Sequence, residues 1–180
     1  IFDKVGFKII DLEFNDINGG SFSITVAKKN SKYKEVSHLI KWLLYKEDLF
    51  KYNDLKTFKL FFENIKKHKK VFRRLLIDLK RKNKKVIGYG ASTKGNVILQ
   101  YCNIDSKLLP YICEVNDFKH DRYTPGSKIK IISEKKAKSI KPDFFLVLPW
   151  HFKNFILAKE KKFLDQNKNI IFPLPDIEIV

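Results

Sequence analysis

The glycine-rich stretch GYGASTKGN holds the residues of this chain whose types and spacing are best suited to bind an anion. Gly88 and Gly90 allow a tight turn and a close approach of a ligand, since neither carries a Cβ. A helix that begins after such a turn directs free N–H groups and the positive end of its dipole to the same place. Ser92, Thr93 and Lys94 add two hydroxyl groups and an ammonium group. The stretch therefore predicts a pyrophosphate site.

The spacing of the glycines argues against two common classes of phosphate-binding site. The stretch is not G-x-x-x-x-G-K-[ST], which argues against the P-loop of a nucleoside-triphosphate site. It also departs from G-x-G-x-x-G, because the third glycine, Gly95, stands two positions late. A tight turn with a purely structural role is the alternative to a ligand site.

Two more segments carry chemistry at the ends of apolar runs. Glu114 follows the glycine turn by about 20 residues, the place where an acidic residue binds ribose hydroxyls in dinucleotide-binding folds. A surface ion pair with a lysine is its alternative role. LPWHF brings an aromatic side chain and the imidazole of His151 toward the same edge. Alternatively, Trp150 and Phe152 close the core and His151 is solvated.

Alternating strands and helices from residue 85 onward must position these residues. Strands are predicted for KVIGYG, LLPYICEV, DFFLVLP and, as the last one, NIIFPLP. Helices are predicted for TKGNVILQYCN, SEKKAKSI and FKNFILAKEKKFLDQN, the last with Phe152, Phe155, Ile156, Lys159 and Phe163 along one side. This alternation predicts an α/β fold with a Rossmann-like, parallel, doubly wound sheet and flanking helices. Ligands of such sheets bind beyond the carboxyl ends of the strands.

The residues before this sheet show two other patterns. Residues 1–29 alternate apolar and polar side chains around the turn-rich NDINGG, which predicts a β-hairpin. A lone hairpin is marginal in water, so we expect it to join a larger sheet formed by residues upstream of Ile1. Residues 30–84 predict two helices, and the second has an apolar stripe opposite a very basic face. The stripe consists of Phe58, Phe61, Phe62, Ile65, Phe72, Leu75, Leu76 and Leu79.

A net charge of +17 over 180 residues raises the question of nucleic acid. The lysines are spread along the whole chain and no nucleic-acid-binding motif accompanies the basic helix, so a solvated face is favoured over a patch for nucleic acid or acidic membrane. No run approaches the roughly 20 apolar residues of a membrane span, and no signal peptide is recognisable. Cys102 and Cys113 lack metal-like spacing. We therefore predict no metal site, no membrane partner and a cytoplasmic setting.

Several motifs resemble, in order and spacing, the C-terminal domain of bacterial S-adenosylmethionine-dependent nucleotide-sugar C-methyltransferases. They are GYGASTKGN, ExNxxK, TPGSKI, KPDFFLVLPWHF and FPLP, within residues 85–175. An Asn-Gly-Gly-Ser loop resembles the one in the hairpin that ends the class I methyltransferase domain of that family: Asn18, Gly19, Gly20 and Ser21.

The motifs and the resemblance together give a set of expected substrate-binding residues and no catalytic residue. The set consists of Gly88, Tyr89, Gly90, Ala91, Ser92, Thr93, Lys94, Gly95, Asn96, Glu114, Asn116, Lys119, Thr124, Pro125, Gly126, Pro149, Trp150, His151 and Phe152. The resemblance implies that these residues help to hold a nucleotide-diphosphate sugar rather than NAD.

The resemblance also implies an enzyme of three parts that methylates a carbon of a nucleotide-linked deoxy-keto sugar. A small zinc-binding domain comes first, then the domain that binds S-adenosylmethionine, then this one. Residues 1–29 are accordingly expected to be the terminal hairpin of the methyl-donor domain, residues 30–84 a helical connector and residues 85–180 the Rossmann-like substrate domain. The chain alone is expected to bind no cofactor and to be inactive. The alternatives are an NAD(P)-binding Rossmann oxidoreductase domain and a basic nucleic-acid-binding module.

Overall fold

The structure is a computed structural model that describes all 180 residues. It forms two compact units, Ile1–Phe62 and Glu63–Val180. No helix in it combines the length and the apolar composition that a membrane span requires.

The first unit contains the predicted hairpin. Its elements are β1 (Phe7–Asn15), β2 (Ser21–Lys28) and α1 (Ser37–Leu49). The two strands pair antiparallel, with a shift of register between Ile9 and Asp11. Positive φ angles at Asn18, Gly19 and Gly20 reverse the chain between them. The alternating pattern predicted this element correctly because strand pairing across a short turn is a local property.

No side chain of the first unit is fully buried. Its large apolar side chains that expose more than half of their surface include Phe14, Phe22, Trp42, Leu44, Tyr45 and Phe61. Soluble domains rarely expose so much contiguous apolar surface unless it contacts a partner. This unit therefore lacks a hydrophobic core of its own.

The second unit is built on one six-stranded sheet. Its strands are β3 (Val86–Tyr89), β4 (Tyr111–Glu114), β5 (Lys130–Ser133), β6 (Phe144–Val147), β7 (Asn169–Phe172) and β8 (Glu178–Ile179). Their spatial order is β5-β4-β3-β6-β7-β8, and all are parallel except β8, which runs antiparallel to β7. The predicted mostly parallel, Rossmann-like sheet is confirmed. Sequence patterning missed β5 and β8, so NIIFPLP, predicted as the last strand, contains β7 instead. In β5 two apolar residues stand between a lysine and a serine, and β8 has two residues, so neither shows a clear pattern.

Helices cover both faces of this sheet. The helices of the chain after α1 are α2 (Leu55–Arg81), α3 (Thr93–Tyr101), α4 (Glu134–Ser139), α5 (Lys153–Lys159) and α6 (Lys161–Leu164). One core joins the sheet to α2 through Phe72 and Leu76 and to α3 through Leu99. The other core joins it to α4, α5 and α6 through side chains that include Ile156 and Phe163. The predicted apolar stripe of the long helix is thus buried only in its second half.

The predicted helix after β6 is in fact two short helices, because the chain leaves helical geometry at Glu160 (φ −99°, ψ 22°). This break lets the Glu160 carboxylate turn inward, where only 2% of the residue is exposed. Phe152 and Phe155, predicted on the same side as the buried Ile156, instead expose 56% and 68% of their surface.

The switch of winding direction lies between β3 and β6, which are neighbours in the sheet. From β3 the chain crosses through α3 on one face, and from β6 it crosses through α5 and α6 on the other. The loops that follow these two strands therefore leave in opposite directions, and ligands of open α/β sheets bind at such a point.

Candidate functional site

The glycine turn between β3 and α3 is closed by hydrogen bonds within the chain. Ser92 caps α3, since its hydroxyl oxygen accepts a hydrogen bond of 3.0 Å from the N–H group of Gly95. The N–H group of Gly90 donates to a carbonyl oxygen of β4 at 2.8 Å. That of Ala91 donates to the carboxylate of Glu114 at 2.9 Å. The expectation of free helix N–H groups is wrong at Gly95, whereas Gly90 and Ala91 lie in the turn before α3. The pyrophosphate role stays a prediction.

Gly88 serves the packing of the sheet. A Cβ at this position would lie 2.6 Å from Cγ1 of Ile112 on β4. Its φ angle is not positive, so no turn requires the glycine. The contact with Ile112 is a sufficient reason for the glycine, and the predicted contact of Gly88 with a ligand stays a prediction.

Gly90 and Gly95 make room for the loop after β6. Gly90 has a φ of +80°, and a Cβ there would lie 2.8 Å from the ring of Pro149. A Cβ on Gly95 would lie 2.6 Å from the Cβ of Leu148. The two segments GYGASTKGN and LPWHF are therefore packed directly against each other at the switch point of the sheet.

Glu114 ties the end of β4 to the glycine turn. One carboxylate oxygen accepts hydrogen bonds from the N–H group of Ala91 and from the ammonium group of Lys119, at 2.9 Å and 3.2 Å. The other accepts from the N–H groups of Val115 and Asn116, at 2.9 Å and 3.2 Å. Glu114 does pair with a lysine, but it is 9% exposed and therefore not a surface residue. Its proposed contact with ribose stays a prediction.

A cavity of about 250 Å³ opens at this edge of the sheet, and we name it the edge cavity. Four lining residues belong to the glycine turn: Tyr89, Gly90, Ala91 and Ser92. Four more were also predicted from sequence: Glu114, Lys119, Pro149 and Phe152. Three separate sequence segments therefore do converge, as the position of the strand ends required.

Sequence analysis missed six residues of the edge cavity: Cys113, Val115, Glu134, Phe155, Ile156 and Lys159. Glu134 begins α4 directly after β5, the strand that patterning overlooked. Recognising KIIS as a strand would have placed Glu134 at the same edge as Glu114. Phe155 and Lys159 lie four residues apart on α5, so they share one side of that helix.

A polar network connects the lining of the edge cavity to the buried carboxylate of Glu160. The hydroxyl of Tyr89 donates a hydrogen bond of 3.0 Å to Glu160, whose other carboxylate oxygen pairs with Lys138 at 3.0 Å. Lys159 pairs with Glu134 at 2.6 Å, and its ammonium group lies 5.4 Å from the centre of the Tyr89 ring. These contacts fix the ends of β3, α4 and α5 relative to one another.

The network also sets the ionisation of its members. Burial, together with the charge of Glu160, raises the pKa of the Tyr89 hydroxyl far above its ordinary value, so it remains a donor at neutral pH. Burial works against ionisation of Glu134, but the hydrogen bond and charge of Lys159 and the charge of Lys138 help to outweigh it, so its pKa is lowered. Burial raises the pKa of the Cys113 thiol to about 12, which argues against a nucleophilic role for this thiol.

The loop after β6 places its three ring side chains in different surroundings. Trp150 packs against both cores, as the structural alternative required, whereas Phe152 lines the edge cavity. Burial and the nearby charge of Lys94 lower the pKa of His151 below its ordinary value. Two buried side-chain atoms at this end of the sheet have no hydrogen-bond partner, Nδ1 of His151 and Oδ1 of Asn96.

The TPG segment does not line the edge cavity. Thr124 is 2% exposed, and its hydroxyl contacts Ser127 and accepts from the N–H group of Ile129, at 2.8 Å and 2.9 Å. The carbonyl oxygen of Pro125 accepts from Gln100, whose side chain also covers Gly126. The hydroxyl of Thr124 is thus used inside its own loop.

Basic residues of α2 contact the second unit itself. Lys69 lies over the ring of Tyr101 at 4.8 Å, Arg73 donates to a backbone carbonyl of Asn103, and Lys80 donates to that of Lys107 at 2.7 Å. These contacts give three side chains of the basic face a structural role, and the choice between a solvated face and a nucleic-acid or membrane patch stays a prediction. No group of three or more His, Cys, Asp or Glu side chains is arranged to hold a metal ion.

Comparisons with known proteins identified one matching family and a similar curated protein. Residues 16–175 match the family of C-methyltransferase C-terminal domains. Over 180 residues the chain is 27% identical to the C-methyltransferase NovU of Streptomyces niveus. The match covers the whole chain but 43% of NovU, so the chain spans less than half the length of this relative.

Proposed function

Because this chain belongs to the family of C-methyltransferase C-terminal domains, we propose that it is the substrate-holding part of a C-methyltransferase. The substrate is a nucleotide-diphosphate derivative of a deoxy-keto sugar, and the reaction adds a methyl group to a sugar carbon. This part binds and orients the sugar nucleotide in the cytoplasm, while the transfer itself takes place on an upstream domain. Orientation of a bound reactant is itself a large catalytic contribution.

One observation carries this proposal. Two of the segments that resemble sugar C-methyltransferases, GYGASTKGN and LPWHF, pack against each other through Gly90 and Pro149 and share the wall of the edge cavity. This is where an open α/β sheet binds its ligand.

The charges at this edge suit a diphosphate. Lys119 and Lys159 line the edge cavity, and Lys94 lies at the start of α3, where the helix dipole also favours an anion. Glu114 and Glu134 compensate Lys119 and Lys159 in the free chain. The carboxylates thus hold the ammonium groups in place before a ligand binds, so that little side-chain entropy is lost on binding.

S-adenosylmethionine would supply the methyl group in the complete enzyme. The residues of this chain do not fit it, because its one glycine-rich turn after a buried strand is filled by Pro149 and by internal hydrogen bonds. We therefore assign the methyl donor to an upstream domain and a structural zinc ion to a domain before that. No step of the reaction is assigned to residues of this chain.

The same upstream domain is the proposed partner of the first unit. Residues 1–62 have no fully buried side chain, and the hairpin exposes Phe14 and Phe22. Hydrogen exchange tests this partnership. The amide groups of β1 and β2 should exchange at least tenfold more slowly in a longer chain that includes the upstream residues than in the 180-residue chain. Equal exchange rates would remove the basis for this assignment.

Calorimetric titration tests the substrate class. The 180-residue chain is expected to bind a nucleoside-diphosphate sugar more tightly than NAD. In Lys94→Ala, the loss of one charge-assisted hydrogen bond, worth about 1.5–3 kcal/mol, should weaken sugar-nucleotide binding roughly ten- to a hundredfold. The exposed Lys161 on α6 is the matched control, and Lys161→Ala should bind as the unaltered chain does. Equal or tighter binding of NAD would favour an oxidoreductase domain instead.

A further inference from the structure

A second cavity of the sheet-bearing unit has a volume of about 610 Å³, and we name it the lysine groove. Two of its lining residues, Lys141 and Pro142, come shortly before β6, and a third, Lys168, comes directly before β7. The groove therefore extends to the amino ends of these strands, whereas the edge cavity lies at the carboxyl ends. The two cavities share one lining residue, Lys159.

Five lysine side chains line the lysine groove: Lys138, Lys141, Lys159, Lys162 and Lys168. Carboxylate groups of the chain pair with three of them, at 3.0 Å, 2.6 Å and 3.5 Å. Lys141 and Lys162 are the two that have no carboxylate partner. Charges of one sign around a concave surface raise the local concentration of ions of the opposite sign. The groove therefore carries an excess of positive charge that attracts anions.

The floor of the lysine groove belongs to the packed interior. Pro142, Glu160 and Phe163 line the groove and are buried. The ring of Phe163 packs against that of Phe145 on β6, with ring centres 4.4 Å apart. The carboxylate of Glu160 is held by Tyr89 and Lys138, so it is already neutralised within the chain. The groove is thus formed before any ligand binds, as most small-molecule sites are.

We propose that the lysine groove binds a small molecule that carries two or more phosphate groups. Lys141 follows α4 and Lys162 lies on α6, so a ligand with several anionic groups contacts more of the ammonium groups than a single phosphate does. Lysine binds phosphate as a point charge through strong, charge-assisted hydrogen bonds. The volume of about 610 Å³ lies within the range of about 300–1,000 Å³ that is typical of small-molecule sites. The proposal does not depend on the proposed function, which concerns the opposite end of the strands.

Titration of the 180-residue chain with inorganic tripolyphosphate, followed by two-dimensional NMR of the backbone amides, tests this proposal. The signals of Gln166 and Lys168 report the lysine groove, and those of Ser92 and Thr93 report the glycine turn separately. The signals of the groove should shift with a dissociation constant at least about tenfold lower for tripolyphosphate than for inorganic phosphate, because several ammonium groups act together.

Two double variants of equal charge make the result specific. Lys141→Gln with Lys162→Gln removes the two ammonium groups that have no carboxylate partner, and it should weaken tripolyphosphate binding in the groove at least about tenfold. Lys135→Gln with Lys161→Gln removes two exposed lysines of α4 and α6 that do not line the groove. It should change the affinity by no more than about twofold, since salt screens charges outside the groove. Circular dichroism and the melting temperature confirm that each variant is folded.

Four outcomes would overturn the proposal. If the signals of Gln166 and Lys168 do not shift, the groove binds no phosphate, whatever the signals of the glycine turn show. If both double variants weaken binding equally, the overall charge of the chain causes the binding and the groove is not a site. If inorganic phosphate binds as tightly as tripolyphosphate, the ligand does not need several phosphate groups. If an RNA oligonucleotide binds more tightly than tripolyphosphate and depends on the same two lysines, the surface recognises nucleic acid rather than a small molecule.

Discussion

The hydroxyl of Tyr89 donates a 3.0 Å hydrogen bond to the carboxylate of Glu160, 71 positions later in the chain. Tyr89 ends β3 and Glu160 separates α5 from α6, so the bond ties the glycine turn to the opposite wall of the edge cavity. Both residues are buried, at 6% and 2% exposure. A hydrogen bond between two largely buried polar groups therefore connects the candidate site to the break between α5 and α6.

Tyr89→Phe should destabilise the chain by about 1–3 kcal/mol, because a buried carboxylate loses a donor that water cannot replace. Urea unfolding followed by circular dichroism measures the loss. Tyr123→Phe is the matched control: Tyr123 is 61% exposed, so the same change there should stay within about 0.5 kcal/mol. Equal effects at the two positions would show that the Tyr89–Glu160 bond adds nothing to stability.

Gly90→Ala should lower the free energy of unfolding by more than its positive φ angle alone would predict. An alanine in the left-handed region costs roughly 1–2 kcal/mol, and here its Cβ would also lie 2.8 Å from the Pro149 ring. Gly126 has a similar φ of +72°, but its Cβ would meet the exposed side chain of Gln100, which can move away. Gly126→Ala should therefore show the conformational cost and, at most, the loss of the exposed hydrogen bond from Gln100 to Pro125 in the same urea titration.

A double-mutant cycle isolates the steric part of the Gly90→Ala effect. In a chain that carries Pro149→Ala, Gly90→Ala should lower the free energy of unfolding by no more than Gly126→Ala lowers it in the unaltered chain. A cost that is the same with and without the proline ring would show that Pro149 does not pack on the glycine turn.

Asp143→Asn should destabilise the chain at pH 7 and have less effect in acid. The N–H group of Lys85 at 2.8 Å, followed by the charges of Lys168 and Lys84, lowers the pKa of Asp143 below its ordinary 3.8, although partial burial opposes this. A lowered pKa contributes stability that is present above the unfolded value and is lost as pH falls through the folded one. Urea unfolding measures the difference in the free energy of unfolding between the unaltered chain and Asp143→Asn. This difference should be smaller at pH 3 than at pH 7, and an equal difference at both pH values would contradict the lowered pKa.

His151 should titrate below its ordinary pKa of 6.5, because burial and then Lys94 oppose its protonated form. Its contribution to stability is thus present above pH 6.5 and declines as pH falls through the folded pKa. NMR titration of the ring Cε1–H signal, assigned with His151→Gln, measures this. Lys94→Gln should raise the pKa while leaving it below 6.5, since burial, the larger cause, remains. An unchanged pKa would place Lys94 away from the ring.

The sequence by itself determined the elements that rest on local periodicity. Alternation around Gly19 and Gly20 predicted the hairpin, and the change to apolar runs after Lys85 predicted the parallel sheet, although without β5 and β8. The rule that ligands bind at strand ends then brought Glu114, Pro149 and Phe152 to one edge correctly. These predictions need only neighbours along the chain and a general rule of topology.

Tertiary structure decided what each of these residues contacts. Gly88 resembles a ligand-facing glycine in sequence, yet it faces Ile112 across the sheet. Phe155 has the spacing of a core residue but lines the edge cavity, and Glu160 breaks a helix that its neighbours would continue. Pairs such as Tyr89 and Glu160 lie 71 positions apart, and no periodicity spans that distance. Helices pack on both faces of one sheet, and this packing decides which side chains are in contact. It depends on the whole fold and not on any single segment.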